Sequence, residues 1–417
     1  MAAMSARICV VTAGHLSTSP RMLKAADALH AAGYHVRVVS ANHTPWATAA
    51  DRLVSSSRRW EWTVVDYARE TARAVQMATG ARFRAAQALS AGVGAARVPL
   101  PIAIRAYSRA HDELVGAVVA QPADFVYGGT TGALAAVAES AAQLGVPYGI
   151  DLEDFHSGEQ NGANSEQTHA LAERIERQVL DGARLLTTSS PMIAGAYARK
   201  YQVQPVTIHN TFSMAPAPAS SSAAAGPLRL YWFSQTLGAG RGLEDVIHAC
   251  GLAGIPTELH MRARPSAPYL ESVQALQRDV APSLTLVHHE PAAPDEMVRL
   301  AQGYDAGLSC EESAVLNRGL SLCNKIFTYL SAGVPVILSR TPAQAALAQD
   351  LGPAALVYDG GDASGLADRL QRLASDAGLR RHAGAAARAA AERRWHWEHP
   401  ADRGALLEEI ASVAPIP

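Results

Sequence analysis

Lysine is nearly missing from this 417-residue sequence: of 36 basic residues, only Lys24, Lys200 and Lys325 are not arginine. With alanine abundant throughout, this is the mark of coding bias, so Ala-rich stretches carry little structural information. Cysteine is scarce too. Cys9, Cys250, Cys310 and Cys323 form no CxxC pair, which argues against a zinc knuckle or a disulfide framework and fits a reducing compartment. No run of roughly 18 apolar residues is present to span a bilayer. The ICVVTA stretch after Arg7 is too short for a secretory signal, so a soluble, cytoplasmic protein is expected. The 36 basic and 38 acidic residues nearly cancel, to a formal net charge of -2, and nothing global draws the molecule to nucleic acid. GxSxG, Walker lysine and GxGxxG motifs are all absent, which lowers hydrolase, ATPase and dehydrogenase readings.

What is present is the composition of a globular protein, 48% hydrophobic and 18% charged, in a chain long enough for two cores. Apolar runs alternate with helix signals. RICVVTA is followed by Ser19 as a helix N-cap, Pro20 at the first helical position, Gly33 beyond the end, and then HVRVVS. The rhythm continues through ADFVYGG, a helix over 131–144, VPYGIDLED, a helix over about 168–181, ARLLTTSS, a helix from Pro191 and PVTIHN. Residues 213–227, SMAPAPASSSAAAGP, read as a linker. Beyond it LRLYWFS, TELHM, SLTLVHH, YDAGLS, VPVILS and AALVY restart the pattern, with helices from Gly242, from Pro294 and over 363–394. Alternation of this kind implies parallel sheets covered by helices. The expected fold class is α/β with two Rossmann-like domains facing across a cleft: residues 1–212, the linker, residues 228–394, and a terminal helix over 395–417 that crosses back. Ligands of such folds sit at the carboxyl ends of the strands.

Residues 69–118 interrupt the first half with a helical insertion bearing Arg73, Arg82, Arg84, Arg97, Arg105 and Arg109. It reads as a solvated helical face or as a patch for anionic lipid or an anionic acceptor.

CNKIFTYLSAGVPVILS, residues 323–339, places Asn324 as an N-cap, Lys325 in the first turn and Gly333 at the helix end. A lysine there opposes the helix dipole at a cost of about a few tenths of a kcal/mol, unless an anion occupies the N–H groups of the helix end.

This stretch resembles the nucleotide-sugar motif of retaining, family 4 GT-B glycosyltransferases, through Asn324, Lys325, Tyr329, Ala332, Gly333, Pro335, Val336 and Ile337. WFSQTLGAGRGLEDVIHA is similar to the segment opening that family's second domain, and the resemblance puts Gln235 and Arg241 at the donor diphosphate. YDAGLS with EESAVLN resembles its acceptor-facing loop. GHLSTSPRMLKAADALH resembles its opening loop and helix, with Gly14, His15 and Arg21 toward donor or acceptor, and WHWEHPADRG its terminal crossing. The family's two glutamates fall on Leu320 and Thr328 here, so Glu311, Glu312 or Asn317 would have to take the ribose contact.

In the first half, GIDLEDFHSGE gathers Asp151, Glu153, Asp154, His156 and Glu159 after a strand. The resemblance assigns His156 to the donor sugar and Asp151 or Asp154 to orienting it or the acceptor. The same cluster read without it is a capped, solvated loop. His289, with His288 and Glu290, reads equally as cleft lining or plain strand end, and His396, Glu398 and His399 read as packing and capping. The implied activity is metal-independent sugar transfer, with retention, from a UDP-, GDP- or dTDP-linked donor to a glycan, lipid-linked or small-molecule acceptor, with no cofactor. Peripheral membrane contact through residues 69–118 goes with it. Two rivals stand: a GT-B-type nucleotide-sugar epimerase, and a nucleotide- or glycan-binding protein with weakened catalysis.

Overall fold

A computed structural model describes residues 5–159, 165–216, 226–312 and 314–415. The chain divides into two compact units, residues 1–209 with 400–417 and residues 210–399. The expected linker falls largely on residues 217–225, which lie outside the described residues.

The first unit is a seven-stranded parallel sheet of β1 (Arg7–Thr12), β2 (His35–Asn42), β3 (Glu61–Asp66), β4 (Phe125–Gly129), β5 (Tyr148–Leu152), β6 (Leu185–Thr188) and β7 (Val206–Thr207), in the order β3-β2-β1-β4-β5-β6-β7. Residues 8–12 of β1 are all buried, as a strand covered on both faces must be. Residues 400–417 complete this unit. Asp402, wholly buried, accepts the His209 N–H at 2.9 Å, and Tyr34 Oη donates to the Ala414 carbonyl at 3.1 Å.

The second unit is a six-stranded parallel sheet of β8 (Leu228–Thr236), β9 (Thr257–Arg264), β10 (Leu284–His289), β11 (Ala306–Ser309), β12 (Val336–Ser339) and β13 (Ala355–Tyr358), in the order β10-β9-β8-β11-β12-β13. Its core packs Leu230, Trp232, Leu259, Met261, Leu308 and Ile337 against helix residues such as Leu243, Ile247, Leu366 and Leu370. In each sheet the strand order reverses between two neighbours, β1 and β4 in one, β8 and β11 in the other. Such switch points open a crevice at the carboxyl ends of the strands.

Two expected caps behave differently. Ser19 stands at the N-cap of the Pro20–Ala31 helix, but its hydroxyl bonds Thr12 Oγ1 and the His15 carbonyl instead of the helix. Cys323, not Asn324, caps the Asn324–Ser331 helix. Asn324 is the first helical residue, and its Oδ1 accepts from Asn210 Nδ2 at 2.5 Å. The competing partner, a buried asparagine, outweighs the local capping preference. The C-terminal signal reads true: Gly333 has φ 74°, and the Gly333 and Val334 N–H groups return to the Leu330 and Tyr329 carbonyls at 2.9 Å each. That is the Schellman pattern.

The alternation as read from sequence omits the Pro45–Ser55 and Ala267–Val280 helices and β3, and the insertion resolves into three helices, Arg73–Val93, Leu100–Tyr107 and His111–Val119.

Gly307 of β11 explains how the motif helix is seated. A Cβ there would lie 2.3 Å from the Tyr329 ring, whose hydroxyl donates to the Tyr231 carbonyl at 3.1 Å. Gly307→Ala is therefore expected to displace the ring and destabilise the second unit by about 1–3 kcal/mol, read as a lower urea midpoint.

Candidate active site

The switch point of the second unit is built by a glycine loop. After β8 the chain runs through Gly238, Gly240 and Gly242 into the Leu243–Ala253 helix, with φ 74° at Gly240 and 67° at Gly242. A Cβ on Gly242 would stand 2.2 Å from the Cys310 carbonyl oxygen, so only glycine lets this loop lie on the end of β11. Arg318 clasps the loop from the other side through the Gly240 carbonyl.

Cys310 leads into Glu311, whose carboxylate is buried and shared by two cations. Oε1 accepts from Lys325 Nζ at 2.6 Å, and Oε2 faces Arg241 Nη1 at 3.5 Å. Burial alone would raise the Glu311 pKa, but Lys325 and then Arg241 hold it down at about 2. Burial would lower that of Lys325, yet Glu311 keeps it above its ordinary value. The neighbouring Cys323 thiol is pushed up to about 12 by burial and by the Glu311 charge. Lys325 Nζ also stands 5.8 Å from the Trp232 ring.

Lys325 is therefore neither a surface lysine nor an open amine waiting for an anion. Its side chain is 7% exposed and that of Arg241 34%. The cationic group within reach of solvent is the guanidinium, which the buried pair helps to place. Two cations against one carboxylate leave this cluster one positive charge in excess.

The other expected donor residues spread around this point. Gln235 is exposed near the end of β8, and Glu312 is exposed beside Glu311. Asn317 is buried, its Oδ1 accepting from Ser321 Oγ at 3.1 Å. His289 lies apart, two strands from β8, where its Nε2 meets His260 Nδ1 at 2.9 Å and His260 Nε2 meets Glu258 at 3.0 Å. His396, Glu398 and His399 hold local structure: Glu398 accepts from Ser213 Oγ at 2.5 Å and faces His396 Nδ1 at 3.3 Å, and the two imidazoles pack edge to face.

At the switch point of the first unit, Thr130 carries φ 77° and its hydroxyl accepts the Ala13 N–H at 3.2 Å. The Gly14 carbonyl is taken by the Ala41 N–H. His15 is buried and satisfied on both nitrogens: Nε2 accepts from Thr44 N at 3.0 Å and His43 N at 3.3 Å, which leaves Nδ1 donating to Asp51 at 2.7 Å. It braces its loop. Arg21 and Asp151 form a buried bidentate pair, Nε to Oδ2 at 2.7 Å and Nη2 to Oδ1 at 2.5 Å; Thr187 donates to the same Oδ1 at 2.6 Å, and Arg21 Nη1 donates to the Ile208 carbonyl at 2.5 Å. Three protein hydrogen bonds hold this buried carboxylate.

Two more carboxylates follow, Glu153 and Asp154. Glu153 is pushed up to about 8, mainly by burial and then by Asp154, against the pull of Arg21. The Asp154 carbonyl accepts from Tyr197 at 3.1 Å, and its side chain is partly exposed.

His156 is buried at the start of a short turn, its Nδ1 facing Glu159 at 3.1 Å. Burial would lower its pKa, but Glu159 raises it, helped by Glu176 and Asp154, to about 9. Nε2 is buried and makes no hydrogen bond among the described residues, and it borders a small cavity lined by Tyr107, Gly132, Leu134 and Glu176 among others. Because the folded value lies above the ordinary 6.5, the pair's contribution to stability is complete below about pH 6.5 and is lost as pH rises to about 9. In Glu159→Gln the imidazole is expected to titrate at least one unit lower, as followed by the His156 ring proton shifts in NMR. An unchanged titration would show that Glu159 does not hold the charge.

Among the described residues, no group of three or more His, Cys, Asp or Glu side chains is arranged to hold a metal ion, and no helix is long and apolar enough to cross a membrane.

Two residues matter more here than sequence reasoning assigns them. Glu311 enters as one substitute for a missing ribose contact, whereas the structure makes it the hub of the cation cluster. The available signal was an acid directly following a buried strand, which needs a cation. Arg318 has no such signal, because its role depends on a loop carbonyl 78 positions away.

Known proteins bear on this geometry. Residues 269–404 match a family described as glycosyl transferase-like, a segment that includes Glu311 and the motif helix. Comparison with curated protein sequences gives no match. Among solved structures, HepE from Anabaena in complex with UDP shares 14% identity over 98% of both chains with a TM-score of 0.64. A glycosyltransferase from Rickettsia africae shares 11% over 98% of both chains, with a TM-score of 0.67. A TarM variant from S. aureus, solved with fondaparinux, an α-GlcNAc-glycerol and UDP, shares 9% over 98% of this chain and 99% of its own, with a TM-score of 0.64. At such identities the likeness defines the fold. The class is GT-B, two Rossmann-like parallel-sheet α/β units.

Proposed function

We propose that the protein is a glycosyltransferase that moves a sugar from a nucleotide donor to an acceptor hydroxyl with retention of anomeric configuration. The observation that carries this reading is the cluster at the carboxyl ends of β8 and β11: the reachable Arg241 guanidinium beside a glycine loop, backed by the buried Lys325–Glu311 pair. An arginine fork suits phosphate oxygens, and a single excess positive charge in a partly desolvated site attracts a diphosphate. As the nucleoside diphosphate leaves, its growing charge falls on Arg241 and on the N–H groups at the start of the Asn324–Ser331 helix. The departing oxygen then takes the acceptor's proton.

In the first unit, His156 is the residue assigned to the sugar side of the reaction. Its imidazolium, kept charged by Glu159, offers a buried Nε2–H with no partner among the described residues to a sugar or acceptor oxygen. Asp154 is the carboxylate assigned to orienting the sugar or the acceptor. Asp151 instead anchors Arg21 and the strand ends. UDP-linked sugars are the donors to try first, because HepE and TarM were solved with UDP, with GDP- and dTDP-sugars next.

Incubation with each donor and a panel of alcohol acceptors, followed by NMR, tests the reading. Release of nucleoside diphosphate together with a glycoside of the donor's own anomeric configuration is the expected result. An inverted product contradicts retention. Isomerised donor sugar without an acceptor identifies an epimerase, and tight donor binding with no turnover identifies a binding protein; either overturns the transferase.

A further inference from the structure

We propose that His43, Tyr67, Arg84 and Arg109 form an oxyanion-binding subsite on the first unit, which holds the phosphate or carboxylate group of an anionic acceptor. The acceptor role rests on the transferase reading; the binding of an oxyanion at these residues does not.

The sheet supplies the place. His43 and Tyr67 directly follow the carboxyl ends of β2 and β3, the end at which such folds bind ligands. The Tyr67 N–H donates to the Asn42 carbonyl at 2.9 Å, and the two rings lie 5.3 Å apart. The buried His15 ring packs edge-on against His43 at 4.7 Å and accepts its backbone N–H. The helical insertion then brings the charge. Arg109 stands 5.3 Å from the centre of the Tyr67 ring, a cation over a π face, and is fixed by the Gln76 carbonyl at 2.6 Å and Thr79 Oγ1 at 3.2 Å. Arg84 joins it. A Cβ on Gly80 would stand 3.1 Å from Arg109 Nη2 and 3.3 Å from Arg84 Nη1, so both guanidinium groups approach one point beside the helix.

The polar groups of this cluster are not used up by the protein. His43 Nδ1 meets Thr44 Oγ1 at 2.6 Å; with that hydroxyl donating, Nε2 carries the ring proton and has no partner among the described residues. The Tyr67 hydroxyl has none among them either, and neither Arg84 nor Arg109 has a carboxylate partner there. The neighbouring acids are engaged elsewhere: Asp51 by His15 and the Ser17 N–H, Asp66 by Asn42 and the Ala68 N–H, Asp112 and Glu113 by Arg82 and Arg105. Burial pushes the Tyr67 phenol up to about 12, so it stays an O–H donor. Burial, then His15 and Arg109, lower the His43 pKa, so its ring is neutral until an anion arrives. The cluster thus presents an imidazole N–H, a phenol O–H and two guanidinium groups with no acid among them. Like charges held together without a counter-charge favour an anion, and guanidinium forks match the oxygens of phosphate and carboxylate.

The test follows the His43 ring protons by NMR, assigned by their loss in His43→Gln, as methyl phosphate or acetate is titrated into the full chain. One of the two anions is expected to shift these signals saturably and to raise the His43 titration midpoint, because a bound anion favours the imidazolium. A response to methyl phosphate assigns a phosphate, and a response to acetate alone assigns a carboxylate. Arg84→Gln with Tyr67→Phe should weaken that binding roughly tenfold, as loss of a charge-assisted contact does, and should leave the urea midpoint unmoved, since the Arg84 side chain is exposed and the Tyr67 hydroxyl has no partner among the described residues. His43 signals that neither anion moves, or that respond equally in this variant, would overturn the proposal. Turnover supplies the second arm, with acceptors offered in pairs that differ by one phosphate or carboxylate. The variant should raise KM for the charged member alone, at unchanged kcat; equal effects on both members would overturn the acceptor role. A His43 response without transfer to any acceptor would keep the oxyanion site and sink the transferase reading together with the acceptor role.

Discussion

Lys325→Met is expected to destabilise the second unit by about 3–5 kcal/mol, the usual penalty for stranding one partner of a buried ion pair. Glu311 is nearly inaccessible, and without the Lys325 amine it keeps Arg241 at 3.5 Å and the neutral Cys323 thiol. Urea unfolding monitored on the buried Trp232 should show the loss, read as the transition of that unit because the chain has two. Glu311→Gln added to Lys325→Met should recover more than half of it, since an amide costs less to bury than a stranded carboxylate. The pH dependence follows. Glu311 is held near 2 in the folded protein, below its unfolded value of about 4.3, so the pair's stabilisation is present above about pH 4.3 and is lost as pH falls toward 2. In Lys325→Met the carboxyl titrates higher, and the gap to wild type should close on acidification. A mutant as stable as the wild type would mean that the lysine and glutamate are not paired.

Arg21→Met is expected to cost the first unit about as much, roughly 3–5 kcal/mol. It removes the charge partner of Asp151, 1% exposed, leaving that carboxylate to neutral hydroxyls such as Thr187, and it leaves the Ile208 carbonyl without the guanidinium. Arg21→Lys should rescue less than half, because a single ammonium cannot reproduce the bidentate fork and the carbonyl contact together. If Arg21→Met instead unfolded at the wild-type urea concentration, the pair would be a replaceable element, and Asp151 would return as a candidate for direct chemistry.

The fold class was legible because its signal is periodic. Short apolar runs such as RICVVTA and VPVILS, separated by helix caps and glycines, do not depend on distant partners. The omitted elements lack that contrast. β3 is an edge strand, with most of its residues only partly covered, and the Ala267–Val280 helix buries Val273 alone fully. Site composition was half legible. Arg241, Asn324 and Lys325 are close to the glycine loop and the motif helix, as their spacing suggests, but which cation faces solvent depends on Glu311, and a sequence motif carries no information about that pairing. Arg21 and Asp151 were both singled out, and only their contact, across 130 positions, shows that they neutralise each other. The same holds for Asn324, whose capping preference yields to Asn210.

Calorimetric titration of UDP, GDP and dTDP into the wild type and Arg241→Ala tests the donor-site account most directly. The account predicts that one nucleotide binds, and that loss of the guanidinium weakens it by about 1.5–3 kcal/mol, as removal of a charge-assisted contact does, while the urea midpoint moves little because Arg241 is partly exposed. No binding by any of the three, or equal binding by wild type and mutant, would contradict it.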